Sequence, residues 1–357
     1  MTRSLFFLII VLVIWSCVQP KKKPVIEEVS LQGTTELDVP KKLSKWGLFE
    51  QPIHQLHPVE GILPYDLNTP LFTDYALKAR FLKLPEGKAA TYDSAEVMNF
   101  PLGTILIKNF FYQNDLTDSD SEYRIIETRL LINEEQGWNA LTYVWNEEQT
   151  EAVLEISGAA VAVSWKDEKG VIKQVNYSVP NLVQCKSCHE KSGKMSPIGP
   201  SARQLNKSFT YNSGIMNQLD KWAALGMLEN LPDLSQIPKL PVWDDPNTGS
   251  LDKRARAWLE INCAHCHRRE GPAKNSGLYL MYSQNDPYKL GINKPPIAAG
   301  RGSGGMKYAI VPGNPDKSIL VHRIQSLDPG VMMPELGRKM RHEEGIALIR
   351  DWISQMH

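Results

Sequence analysis

Asn262-Cys263-Ala264-His265-Cys266-His267 holds two cysteines three positions apart with a histidine immediately after. That order suits covalent haem attachment. Each thiol adds across one vinyl group of the porphyrin, and the following imidazole lies under the ring, where a nitrogen reaches iron. The same spacing recurs upstream in Cys185-Lys186-Ser187-Cys188-His189. A zinc site would want two further thiols or histidines at matching spacing, and a thioredoxin-like dithiol would want a βαβ setting. Two copies, each closed by histidine, predict two covalently bound haem c groups. One sits on Cys185 and Cys188 and the other on Cys263 and Cys266, with His189 and His267 as iron ligands.

Outward from Cys263 the pattern is helical. Ser250 caps a run with Leu251, Ala255, Trp258, Leu259 and Asn262 at helical spacing. A closing helix starts near His342, where Glu343 and Glu344 favour its positive end and Ile346, Ile349, Trp352 and Ile353 form an apolar stripe. Between them, Asp316 caps Ser318–Gln325, and a loop carries Gly330-Val331-Met332-Met333-Pro334. Thioether sulfur suits ferrous iron and raises its potential, and Pro334 holds the residue before it extended. Met333 is the expected second axial ligand; the plainer reading is that these methionines fill space. For the first haem, Met195, Met216, Met227, His54 and His57 stay open as candidates, as does an open sixth position that would admit ligands or peroxide. Arg338, Lys339 and Arg341 either pair with haem propionates or face solvent. Arg301–Gly305 is glycine-rich but lacks the GK[ST] ending of a phosphate loop.

Around the first motif the signals are weaker. Ser213 is placed to cap a helix running to about Leu225, with Ile215, Met216, Leu219, Trp222 and Ala223 on one face and Gly226 ending it. The proline-rich stretch from Pro232 to Pro246 reads as a linker. Upstream, strand-like runs recur at Thr104–Tyr112, Tyr123–Ile132, Leu141–Asn146, Ala152–Ile156, Ala159–Trp165 and Val171–Val179, separated by turn signals. Short strands with regular turns indicate an antiparallel sandwich or barrel. Trp138, Tyr143, Trp145, Trp165 and Tyr177 fill its core, form a glycan-binding face, or dock the first haem. The expected fold is therefore α+β and multidomain. An N-terminal antiparallel β sandwich or barrel-like domain (46–180) precedes two α-helical cytochrome c-type haem modules (181–246 and 247–357).

The chain starts with one positive charge, followed by the apolar run Leu5–Trp15, too short to span ~30 Å of hydrocarbon and hence a signal h-region. Ile14-Trp15-Ser16-Cys17 resembles a lipobox, although Trp15 is larger than that pattern prefers. The expectation is a signal peptide (1–16), lipidation at Cys17 and a polar tether (17–45). Ordinary signal cleavage or a retained anchor are the alternatives. Of five cysteines, four lie in the two motifs and the fifth is Cys17, leaving none for a structural disulfide. Forty basic and 40 acidic residues give zero net charge, which argues against nucleic-acid binding.

The chain resembles the SO2930-like family of bacterial dihaem c-type cytochromes over nearly all of its mature length. The resemblance rests on Pro64–Tyr75, Phe100–Tyr112, Glu127–Leu131, Tyr143–Asn146, Gln184–Leu205, Asn262–His267, Ile310–Ser318, Met332–Gly337 and Glu344–Ile353. It implies two covalent haems, export and a redox role, and supplies no substrate. Together these readings predict a membrane-tethered electron carrier that serves redox protein partners outside the cytoplasm. A haem enzyme, either peroxidase-like or the haem subunit of a dehydrogenase, is the alternative, with an open first haem.

Overall fold

The computed structural model describes residues 39–357; the expected signal segment, the expected lipidation site Cys17 and most of the expected tether lie outside them. Its largest element is one antiparallel sheet of six strands in the order β1-β2-β4-β5-β6-β7. These are β1 (Ile62–Tyr65), β2 (Leu77–Lys83), β4 (Ile105–Gln113), β5 (Tyr123–Glu134), β6 (Gly137–Trp145) and β7 (Ala152–Leu154). The meander is broken once, by the short β3 (Ala90–Thr91), which pairs in parallel with β14 (Leu228–Glu229) far along the chain. A separate hairpin, β8 (Ala159–Lys166) and β9 (Ile172–Val179), packs over one end of the sheet. There Val163, Trp165, Val175 and Tyr177 close a core with Phe110 and Tyr112.

After the hairpin come α1 (Leu182–His189), a small hairpin of β10 (Glu190–Lys191) and β11 (Lys194–Met195), and α2 (Ala202–Leu205). A second hairpin, β12 (Ser208–Tyr211) and β13 (Gly214–Asn217), leads into α3 (Gln218–Ala224). The C-terminal part holds α4 (Leu251–Leu259), α5 (Pro287–Leu290), α6 (Ile319–Gln325) and α7 (Glu343–Ser354). Among the described residues no helix is long and apolar enough to cross a membrane.

The expected succession of a β sandwich or barrel and two α-helical cytochrome modules is corrected by this architecture. The protein is mostly β around its six-stranded sheet, with few and short helices. The segment expected to be helical from Ser213 to Leu225 shows why. Gly214 takes φ 111°, closing a turn, so Ile215 and Met216 continue as an exposed strand. Helix begins only at Gln218, where the Asn217 side chain accepts the Leu219 N–H at 2.9 Å. Leu219 and Trp222 alone of the expected face are fully buried.

Pro40–His357 fold as one unit, and the irregular stretch from Asp66 to Tyr75 explains how. Asn68 Nδ2 donates to the carbonyls of Arg203 (3.0 Å) and Asn206 (3.3 Å). The Phe72 N–H donates to Asn262 Oδ1 at 2.9 Å. The buried Asp74 carboxylate accepts the N–H groups of Lys339 (2.7 Å) and Met340 (2.7 Å), and Tyr75 Oη donates to Glu344 at 2.9 Å. One loop thus joins the sheet to the segments around both cysteine motifs.

Candidate functional site

The first motif lies on α1. A reciprocal cap starts this helix: Asn181 Oδ1 accepts the Gln184 N–H (2.9 Å), and Gln184 Oε1 accepts the Asn181 N–H (3.0 Å). Helical spacing then sets Cys185 and Cys188 on one face. His189 ends the helix. The β10–β11 hairpin folds back so that the Ser196 carbonyl lies 2.8 Å from His189 Nδ1. A carbonyl only accepts, so Nδ1 carries the proton and Nε2 keeps its lone pair. Burial lowers the His189 pKa to about 4, so the ring is neutral near pH 7.

The second motif follows α4 through a π-helical turn, Glu260–Ala264, a distortion frequent at functional sites. Asn262 is pinned by its own Nδ2 to the Trp258 carbonyl at 2.9 Å. Cys263 is buried, and burial pushes its thiol up to about 12. His267 Nδ1 lies 3.2 Å from Ser276 Oγ, whose hydroxyl proton is committed to the Ala273 carbonyl at 2.7 Å. Ser276 therefore accepts, His267 donates from Nδ1, and its Nε2 is again free to ligate. Burial lowers the His267 pKa to about 4 as well.

The two motifs meet. The Cys188 thiol lies beside the Cys266 thiol and the His265 side chain. The Cys266 S–H holds Cys188 well below the usual thiol range, and Cys188 together with burial pushes Cys266 up. An ionic clamp fixes the junction. Glu96 takes Arg268 on both carboxylate oxygens and Lys191 at 3.0 Å, and Arg268 Nε also reaches Glu270 at 3.0 Å. Lys191 follows the first motif and Arg268 the second, so this one clamp ties the two motifs together.

Over the junction opens a cavity of about 230 Å³. Cys185, Cys188 and His189 border it from one side, and Trp258, Ile261, His265, Met332 and Met333 from the other. The residues fit the group that the motifs imply. Each motif has paired thiols with an imidazole whose Nε2 is free; the first motif's thiols and imidazole border this largely apolar space, while the second motif reaches it through Asn262 and His265.

Met332 and Met333 both border the cavity. The Met333 carbonyl is held by Arg338 Nη2 at 2.9 Å, and that guanidinium also bonds the Ser326 carbonyl at 2.9 Å. Arg338 thus braces the methionine loop, and Arg341 Nε likewise bonds the Gln325 carbonyl at 2.6 Å. Met195 and Met227 pack on an apolar core, and Met216 is exposed on its hairpin. None of these three, nor His54 or His57, is among the described residues bordering the cavity.

Sequence reasoning missed His265 and His342, which both border the cavity. His342 Nδ1 accepts the Trp258 indole N–H at 3.0 Å and its ring stacks on Phe72 at 4.2 Å, so it holds the wall together. His265 Nδ1 is buried without a partner among the described residues. Its place inside the motif was the available signal. Comparison with protein families, with curated proteins and with solved structures finds no match, so the reading of this site rests on the chain's own residues.

Proposed function

We propose that this chain is a membrane-tethered dihaem c-type cytochrome that passes single electrons between redox proteins outside the cytoplasm. Haem c joins Cys185 and Cys188 through one ring and Cys263 and Cys266 through the other, and His189 and His267 are the iron ligands. The observation that carries this reading is the pair of motif imidazoles, His189 and His267, each held through Nδ1 so that Nε2 is left for a metal. Rings anchored at the neighbouring residues Cys188 and Cys266 would lie close together, as rapid electron exchange demands.

The bound iron supplies a one-electron couple; the chain does the rest. Ser196 and Ser276 fix the tautomer and direction of the two imidazoles. The apolar wall excludes water, and the Glu96 clamp holds the two motifs in register.

A haem enzyme with an open first site is the second reading. It draws on the position of Met195, Met216 and Met227 away from the cavity wall. Rapid cyanide binding and peroxide turnover would favour it over the carrier.

The deciding experiment is haem content after expression with a c-type maturation system. Two haems should remain bound after denaturation, and Cys188→Ala and Cys266→Ala should each remove one thioether. A chain isolated with a Cys188–Cys266 disulfide and no haem would refute the reading.

A further inference from the structure

Across the middle of the main sheet runs an unusual row. Arg80 on β2 is the direct partner of Lys108 on β4, Lys108 is the partner of Arg129 on β5, and Arg129 is the partner of Thr142 on β6. Three cations therefore stand opposite one another on adjacent strands about 4.8 Å apart, an arrangement that is destabilising in itself. The row sits on a covered face. Leu82, Leu106 and Leu131 form an apolar core on one side of it, and Ala76, Phe110 and Tyr112 form another on the other side.

The carboxylates nearby only partly offset this charge. Glu127 binds Arg129 through two hydrogen bonds. Asp66 takes Arg80 Nη1 at 2.9 Å but is shared with Lys207 at 2.7 Å. The Arg80 side chain is only 4% exposed, and its Nη2 has no partner among the described residues. Lys108 Nζ lies 4.7 Å over the Phe110 ring and is in no ion pair among the described residues. Arg80, Lys108 and Arg129 all border the cavity, where Arg338 and Lys339 are also cationic and Glu335 is the one carboxylate among the described residues. A partly buried cation without counter-charge is expensive, so Lys108 and the unpartnered Nη2 of Arg80 leave this side of the cavity suited to carboxylates.

The row also points at the first motif. Cys185 and Cys188 border the same cavity as Arg80, Lys108 and Arg129, and Thr142, at the end of the row, neighbours Cys185. Vinyl groups and propionates occupy opposite edges of a porphyrin, so a ring tethered at Cys185 directs its propionates away from that cysteine, along the row. Resting on the haem reading above, we infer that Arg80 and Lys108, with Arg129 beside them, form the seat for the propionates of the haem on Cys185 and Cys188. The sheet then acts as the floor of a cofactor site whose attachment motif lies on another element.

The test uses the full-length holoprotein and reads midpoint potentials. Removing a cation beside the ionised propionates favours the ferric state. Lys108→Met should therefore shift one haem's one-electron equilibrium about tenfold towards oxidation, about 59 mV downward, and the other haem far less. Lys108→Arg should restore the wild-type value. Lys83→Met, on the opposite face of β2, is the control and should leave both midpoints alone. Arg80→Gln should act in the same direction as Lys108→Met. Wild-type haem content with unmoved midpoints in both Lys108→Met and Arg80→Gln would overturn this inference alone. A wild-type chain without covalent haem would sink it together with the haem reading.

Discussion

Replacing Glu127 by alanine tests the electrostatic centre of the sheet. Its side chain is fully buried at 0% exposure, against 26% for Arg129. It accepts hydrogen bonds from Arg129 Nε at 2.9 Å and from the Tyr177 hydroxyl at 2.5 Å, besides the second guanidinium bond. Breaking one side of a buried pair costs about 3–5 kcal/mol, because the survivor keeps an uncompensated charge. Arg129 retains some access to the cavity, which places the expected loss at the low end, about 3 kcal/mol. Near 60 °C unfolding entropy is about 2.1 cal/mol/K per residue, so a unit of roughly 300 residues carries about 0.6 kcal/mol/K and should melt about 5 °C lower. Tyr177→Phe removes one bond to a charged acceptor and should cost about 1.5 kcal/mol. The double variant Glu127→Leu/Arg129→Leu should lose much less than the two single variants together. Urea and thermal unfolding of haem-matched samples would measure all three. A loss below about 1 kcal/mol for Glu127→Ala, or strict additivity in the double variant, would refute the buried-pair argument.

Three further outcomes are expected. His342 has its pKa lowered to about 4 by burial against an ordinary value near 6.5. The unfolded chain then binds the extra proton first as pH falls, and stability present above about pH 6.5 is lost towards pH 4 by up to about 3 kcal/mol; His342→Gln should flatten acid unfolding monitored across that window. Met333→Leu should lower one haem midpoint and remove a sulfur-to-iron charge-transfer band, with Met332→Leu doing much less; unchanged spectra in both would assign the methionines to packing. Cys17→Ser should move the protein from the membrane to the soluble periplasmic fraction with haem intact, and a wild-type N-terminus free of lipid by mass spectrometry would exclude the anchor.

Six strands of the β region follow the alternation and turn signals closely, as β5 (Tyr123–Glu134) and β8 (Ala159–Lys166) show. Strand β2 was not legible. Leu77-Lys78-Ala79-Arg80-Phe81-Leu82-Lys83 places cations where a strand covered on both faces should be apolar. One of these cations, Arg80, is assigned to the propionate seat, a case of local pattern yielding to the demands of a site. Around the second motif the α4 and α7 signals were sound because each helix carries an apolar stripe, joined by the Ser250 cap in α4 and by Glu343 and Glu344 in the first turn of α7. In the first, the Ser213 cap signal competed with Gly214, and the glycine turn won. The cysteine motifs were legible individually, but their contact was not, since only tertiary pairing brings Cys188 to Cys266.

That contact changes what the irregular Asp66–Tyr75 loop is for. Electron exchange between two centres depends steeply on their separation, so a carrier with two sites needs them fixed to one frame. Loops usually serve variation; this one is bonded along its length. Asp66 grips Arg80 and Lys207, Asn68 and Thr69 reach the segment after the first motif, and Phe72 is tied to Asn262 inside the second. Asp74 and Tyr75 adopt positive φ of 46° and 64°, conformations disfavoured for non-glycine residues. Such geometry persists only where surrounding bonds over-determine it, and here the buried Asp74 carboxylate supplies them by accepting the N–H groups of Lys339 and Met340. The loop therefore sets the sheet, the first motif and the methionine-bearing segment at fixed positions. The proposed carrier of two haems would need such a frame, because the loop ties the segment after the first motif and Asn262 inside the second to the same sheet.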